Sequence, residues 1–165
     1  VDTEQIIAEY PEIKKINADW LQHGISLVII AVEKQRKHHI KEMAEALFQN
    51  ALSEVKFAVF LDSIVNIFDL PVAVWIAANN TDPKRDSYLF EAESEDSISH
   101  IAFDATRKTK QTEGFSRDWP NVVTADEKTI ETVNKKWHKL GLGELIESPS
   151  LKFKACVSGT NAIAD

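Results

Sequence analysis

The sequence predicts an α/β fold of three layers (α/β/α) around a small, mostly parallel sheet. Three observations lead there. The run SLVIIAV, Ser26 to Val32, is aliphatic and β-branched throughout, as a strand buried on both faces requires. Behind it, Ile40, Met43, Ala44, Leu47 and Phe48 recur at helical spacing and form one apolar face. A second strand-like run, VKFAVFL from Val55 to Leu61, completes a strand–helix–strand unit within about 35 residues. Such a unit has a right-handed crossover.

The remaining elements follow in chain order. Asp2 caps a short helix to Tyr10, with Gln5 three residues on and Ile6, Ile7 and Tyr10 as its stripe; Pro11 ends it. Glu12 to Gly24 reads as a connector. Asp69 stands where an N-cap belongs, with Pro71 in the first turn. The helix that follows, VAVWIAANN, is apolar nearly all round and is expected to be well buried. DPKRD is a turn, Ser87–Phe90 a third strand, Glu91–Ser97 an acidic loop and Ile98–Phe103 a fourth strand. Asp104–Val123 is loop-like. Thr124 and Glu127 form a capping box for a last helix that turns Ile130, Val133, Trp137 and Leu140 inward and stops at Gly141. Leu151–Asp165 is an added strand (LKFKACV) or a disordered tail. The expected organisation is an N-terminal helix and connector (1–24), an α/β domain (25–145) and a C-terminal tail (146–165).

Composition excludes several classes. With 26 acidic and 19 basic residues the net charge is −7, the wrong sign for tracking phosphates, so no nucleic-acid partner is expected. No apolar run approaches the roughly 18 residues of a spanning helix, so no membrane insertion is expected. A single cysteine, Cys156, fits a reducing compartment and a cytoplasmic location. Five glycines form neither GxGxxG nor GxxxxGK[ST], so the chain carries no nucleotide cradle of its own. It opens on Val1 rather than Met and reads as a piece of a longer chain.

Charged groups gather where the strands end, the edge at which α/β sheets bind ligands. Glu33 and Lys34 follow the first strand and Asp62 ends the second. Arg85, between Asp82 and Asp86, is placed to clamp a carboxylate bidentately and brace the turn. His100 and Asp104, on one strand face, are expected to hydrogen-bond to each other. His38, His39 and Glu42 have metal-like spacing, but Lys34, Arg36, Lys37 and Lys41 surround them, and a solvated basic face is expected.

The stretch KFAVFLDSIVNIFDLPVAVWIAANNTDPKRD, Lys56 to Asp86, resembles the UbiD family of decarboxylases. That family ends a strand in an Asp-rich DDDV-like turn and continues into W-A-x-x-T-R-x-D-P-x-R-D. Asp62, Val65, Trp75, Ala77, Asp82, Pro83, Arg85 and Asp86 stand at the matching places. HIAFDATRK is similar to G-x-D-A-T-x-K through Asp104, Ala105, Thr106 and Lys108. EGFSRDWP, VNKKWHKLGL and LVIIAVEKQRKHHIKEMAEALF resemble further family segments in the same order. The chain departs at Ser63-Ile64 and at Asn79-Asn80, where the family has T-R.

The resemblance implies a UbiD C-terminal domain-like fold. It implies a parent that is a non-oxidative carboxy-lyase of aromatic or α,β-unsaturated acids, using prenylated flavin mononucleotide, a divalent metal such as manganese and often potassium. Its catalytic and metal-binding residues belong to a preceding split-barrel flavin-binding domain. The present chain is therefore expected to hold no catalytic or metal residue and to bind no cofactor alone. Its role would be active-site closure and homo-oligomer formation; a standalone assembly module derived from the family is the alternative. Glu33 and Lys34 are the candidates for reaching a cofactor. Asp62, Asp82, Arg85, Asp86, Asp104, Thr106, Lys108 and Trp119 are structural or interface candidates, with Trp119 and Phe115 as loop aromatics.

Overall fold

A computed structural model describes residues 1–92, 94, 96–117 and 119–163. These residues form two compact units, the first ending at residue 117 and the second made of the described residues after it.

The first unit holds helix α1 (Thr3–Glu9), strand β1 (Ile13–Asn17), a 3-10 turn (Asp19–His23), β2 (Leu27–Val32), α2 (His39–Gln49), β3 (Phe57–Asp62), α3 (Leu70–Asn80), β4 (Ser87–Phe90), β5 (His100–Asp104) and α4 (Lys110–Glu113). The strands make one five-stranded sheet in the order β1-β2-β3-β5-β4. β2–β3 and β3–β5 are parallel, whereas β1–β2 and β4–β5 are antiparallel. The sheet is therefore mixed rather than mostly parallel: a parallel centre with an antiparallel strand on each edge.

Strand β1 lies in the stretch read as a connector. Its alternation is broken by a register shift between Ile13 and Lys15, so the two-residue period that marks a strand is lost. Ile13 and Ile16 are nonetheless buried in the main core.

Residue alternation divides the sheet into two faces. Val28, Ile30 and Val32 of β2 with Ala58 and Phe60 of β3 pack against Ile40, Met43, Ala44, Leu47 and Phe48 of α2 and Ile6 of α1. Ile29, Ala31 and Leu61 point the other way and are also buried. α3 packs on β3 with Val72, Ala73 and Ile76 buried. α3 is less buried than its composition suggested, with Val74 56% and Trp75 46% exposed. Only one side of a helix reaches a sheet, and here the other side is apolar as well.

Local chemistry sets the helix ends. Asp2 Oδ1 accepts from the Gln5 amide at 3.0 Å, and Asp69 Oδ1 from the Val72 amide at 3.4 Å. α2 starts without a side-chain cap, behind His38 at a φ of 63°. His38 and Glu42 meet only through the backbone, Glu42 N to His38 O at 3.1 Å, and the Glu42 carboxylate meets Arg36 at 2.6 Å. His100 and Asp104 also do not meet, because they occupy opposite ends of β5. Four residues along a strand span roughly 13 Å, so facing the same way does not bring them together.

In the second unit α5 (Glu127–Lys136) is capped by Asp126 rather than Thr124; Asp126 accepts from both the amide and the hydroxyl of Thr129 at 2.8 Å. Ile130 is buried, but Val133 and Leu140 are exposed. LKFKACV is not a strand: Ser150–Phe153 form α6 and Lys154–Cys156 a 3-10 turn. A strand needs a neighbour for its amides, and this segment instead bonds locally, Leu151 N to Ser148 O at 3.1 Å. Asn121 holds the tail through the carbonyls of Ser158 (2.7 Å) and Asn161 (2.9 Å).

Phe60, fully buried between β2 and β5, carries the core most directly. Phe60→Ala is expected to lower unfolding free energy by about 3–5 kcal/mol in urea titrations.

Candidate functional site

Parallel β2, β3 and β5 all end on one edge of the sheet, and antiparallel β4 begins there. That topology brings Lys34, Asp62, Asp104 to Lys108 and Asp82 to Asp86 to the same place from four separate segments. Hydrogen bonds stitch the segments together before any side chain acts: Ala105 N to Phe60 O and Asp104 N to Asp86 O, each at 2.8 Å.

Asp104 is the centre. Its Oδ1 accepts from the Thr106 amide (3.1 Å) and hydroxyl (2.5 Å), while Oδ2 accepts from Lys34 Nζ at 2.6 Å. Lys34 also pairs with Glu113 of α4. Lys108 Nζ donates to the carbonyls of Asp104 (2.5 Å) and Thr106 (2.7 Å) and lies 3.6 Å from Asp86 Oδ2. Arg85 forks onto Asp86 through Nε (2.8 Å) and Nη2 (2.6 Å). The side chains of Lys34, Lys108 and Asp104 are each 2% exposed, and that of Asp86 is 3% exposed. Three cations thus face three carboxylates in one buried network.

Burial pulls the Lys108 ammonium down from its ordinary range, against the pull of Asp104 and Asp86 and with that of Lys34. Burial alone would push the Asp86 carboxyl up, but the Arg85 hydrogen bonds, the Asp82 amide and the Lys108 charge outweigh it and hold it low. Tyr88, beside this cluster, is pushed up to about 12 by burial and then by the charges of Asp104, Glu113 and Asp86.

A second pair adjoins it. Asp62 Oδ2 accepts from the Arg107 amide at 3.0 Å, and Arg107 Nε lies 3.3 Å away. Two buried nitrogens of that guanidinium, Nε and Nη1, have no hydrogen-bond partner, so the contact is an ion pair only. Burial raises the Asp62 carboxyl, opposed by the Arg107 charge.

Six of the singled-out residues therefore converge: Lys34, Arg85, Asp86, Asp104, Thr106 and Lys108. Asp62 sits next to them, and Asp82 stays exposed, where its Oδ1 caps the amides of Lys84 (3.0 Å) and Arg85 (2.9 Å). Glu33 does not join. Its side chain is exposed and meets Lys14 at 3.2 Å, while its amide, just past the end of β2, donates to the Glu12 carbonyl at 2.9 Å. Trp119 is buried. Phe115 lies under the guanidinium groups of Arg85 (5.2 Å) and Arg117 (5.5 Å). Sequence reasoning missed Glu113 and Arg107. Arg107 sat inside the DATRK segment, but Glu113 left no signal beyond its place at the head of EGFSRDWP. Among the described residues, no three His, Cys, Asp or Glu side chains converge to hold a metal.

Residues 3–111 match the model of the 3-octaprenyl-4-hydroxybenzoate carboxy-lyase C-terminal domain. The chain belongs to the UbiD C-terminal domain family. An uncharacterised protein of Archaeoglobus fulgidus is 30% identical to this UbiD domain over 142 residues, covering 79% of the chain and 29% of that protein. Another, from Aeropyrum pernix, is 27% identical over 145 residues, covering 80% and 29%. The chain thus spans under a third of the length of these relatives. The vanillic acid decarboxylase of Sedimentibacter hydroxybenzoicus in closed form has the same fold, with a TM-score of 0.63 at 20% identity over 84% of this chain and 31% of that one. An evolved dimeric form of the UbiD-class enzyme HmfF from Pelotomaculum thermopropionicum, in complex with prFMN, matches at 27% identity and TM-score 0.54, covering 69% and 24%.

Lys108→Met leaves Asp104 and Asp86 buried without one of their cations and is expected to lower stability by about 3–5 kcal/mol in chemical denaturation. Arg85→Ala is expected to lower it less, because that side chain is 40% exposed and water screens the loss. The acid limb of the stability curve tests Asp86. Its folded value lies below its ordinary 3.8, so its contribution is complete above that value and is lost as pH falls through the lower folded one. Asp86→Asn is expected to flatten this limb in melting temperatures measured against pH.

Proposed function

We propose that this chain is the C-terminal α/β part of a UbiD-class carboxy-lyase acting on aromatic or α,β-unsaturated acids. Its own work is active-site closure and self-association, not catalysis. The observation that carries the reading is the outer side of α3. Leu70 and Val74 lie one turn apart with Trp75 beside them, and the preceding loop adds Ile64 and Phe68, all exposed. An apolar cluster of this kind marks an interaction surface, and a second copy of the chain is the occupant proposed here. The evolved dimeric form of HmfF supports the assembly part. The vanillic acid decarboxylase, solved in open and closed forms, supports the closure part.

HmfF carries prFMN, but the residues of this chain do not fit that group. A flavin phosphate needs free cations or a glycine-lined run of amides. Lys34 and Lys108 are spent on Asp104, Glu113 and Asp86, and Arg85 on Asp86. Lys34 is therefore a structural cation in this reading, and the cofactor belongs to the preceding flavin-binding domain of the parent.

Sedimentation equilibrium tests the assembly. A dimer or larger species is expected, reduced to monomer by Val74→Glu with Trp75→Glu at unchanged melting temperature. A wild-type monomer at high micromolar concentration overturns it. Incubation of the isolated chain with prenylated flavin, manganese and a panel of aromatic and acrylic acids is expected to release no carbon dioxide; turnover overturns the non-catalytic role.

A further inference from the structure

Two histidines stand side by side where the loop after β2 enters α2, and their surroundings differ. His38 is exposed, with its backbone in the left-handed region at a φ of 63°. His39, expected on a solvated basic face, is buried. Its Nδ1 accepts from the Gln35 amide at 3.2 Å. A ring nitrogen that accepts carries no proton, so in the neutral ring the proton sits on Nε2. Nε2 lies 3.9 Å from Glu12 Oε1.

The loop spans two fixed ends. Lys34 is buried on Asp104 and Glu113, and α2 packs Ile40 and Met43 into the core. Residues 35–38 between them are exposed. Besides the Gln35–His39 bond, the His39 amide donates to the Arg36 carbonyl at 3.3 Å, and the Arg36 guanidinium meets Glu42 at 2.6 Å. A non-glycine residue in the left-handed region is costly and persists only where its surroundings hold it. The His39 acceptor is thus one of the contacts that keep a strained turn closed. Once the ring gains a second proton, both nitrogens donate and the Gln35 amide loses its acceptor. Burial, the largest influence on the ring, disfavours that cation. Arg36 and Lys34 on the loop act the same way, while Glu12, just before β1, and Glu42 on α2 favour it. The balance holds the ring below its ordinary 6.5, so the bond is whole above that pH and is lost as pH falls through the lower folded value.

We propose that His39 is a proton-operated latch on the loop between β2 and α2: with Nδ1 bare it holds Gln35 and keeps the turn closed, and as an imidazolium it releases residues 35–38. Gln35 follows directly on Lys34, so the latch makes the approach to the buried ion network responsive to mild acid. It depends neither on the self-association proposed for α3 nor on any catalytic role of the parent.

NMR of the nitrogen-labelled 165-residue chain tests it. At neutral pH the His39 ring is expected to show a bare Nδ1 and a proton on Nε2, with the Gln35 amide exchanging slowly with solvent. Acidification from about pH 8 to 5 covers the span in which a histidine changes charge. Over it, Gln35 exchange corrected for its intrinsic pH dependence is expected to rise about fivefold or more, the worth of one ordinary hydrogen bond. The midpoint is expected to coincide with the His39 titration. Glu12→Gln keeps the ring and removes a carboxylate that favours its cation, so the midpoint is expected to move to lower pH at unchanged neutral-pH protection. His38→Asn, a residue tolerant of the left-handed backbone, is expected to keep the transition. His39→Leu is expected to expose Gln35 at every pH while the β2 amides stay protected. The proposal is overturned by a proton on Nδ1 at neutral pH, by Gln35 exchange that ignores the His39 titration, by a midpoint unmoved in Glu12→Gln, by a transition abolished in His38→Asn, or by Gln35 protection that survives His39→Leu. The first two are read on the natural chain and decide the matter even where a variant does not fold.

Discussion

Two lysine side chains, Lys34 and Lys108, end inside the protein with 2% of each exposed. An ammonium group removed from water carries a penalty of several kcal/mol, and only nearby carboxylates and carbonyls offset it. The carboxyl edge of the sheet is arranged around that need. Asp104 takes Lys34 on one oxygen and Thr106 on the other. The backbone then curls so that the carbonyls of Asp104 and Thr106 close on Lys108. Asp86 is buried beside Lys108 and is kept ionised by the Arg85 fork. Each group in the chain of contacts makes the burial of the next tolerable.

This arrangement explains why a motif with the composition of an active site does a different job. A sheet edge bearing Lys, Asp, Thr and Arg has the ingredients of acid–base chemistry, but Lys34, Lys108 and Thr106 all donate to protein acceptors. The network ties β2, β3, β5 and the turn before β4 to α4, so residues as distant in sequence as Lys34 and Glu113 share one set of ion pairs. The charge left over is carried elsewhere. The amino edge carries Glu45, Glu54, Glu91 and Asp96 around a cavity, and among the described residues no lysine or arginine lines it. The two ends of one sheet thus differ in electrostatic character, one neutralised internally and one open and negative.

Much of the fold was legible because its signals are local. SLVIIAV and VKFAVFL are continuous apolar strands, α2 has a helical apolar stripe, and Asp2 and Asp69 cap the helices they precede. β1 was hidden by the register shift that breaks its alternation. α3 was overstated because hydrophobicity records what a helix is able to bury and not how many surfaces reach it. The tail misled in the opposite sense: LKFKACV alternates, but alternation does not supply a pairing partner. In the candidate site, Asp104, Thr106, Lys108, Asp86 and Arg85 stood out by family pattern. Their common destination did not show, since it depends on pairing β3 with β5 rather than β4.

By itself the sequence determined the central strands and helices, the charge excess and the family, because periodicity, capping chemistry and ordered motifs are written in neighbouring residues. The tertiary structure alone decided which charges meet. Lys34 turns inward to Asp104 and Glu113, whereas Glu33, one residue earlier, turns outward to Lys14. Both residues lie just past the end of β2, and the difference follows from the partners the neighbouring segments offer there, β1 for Glu33 and β5 with α4 for Lys34. Strand pairing likewise set Phe90 beside His100, and α2 laid Phe48 against both. A hydrogen-bonded sheet brings distant residues together by register, and register is a property of the assembled strands, not of any one of them.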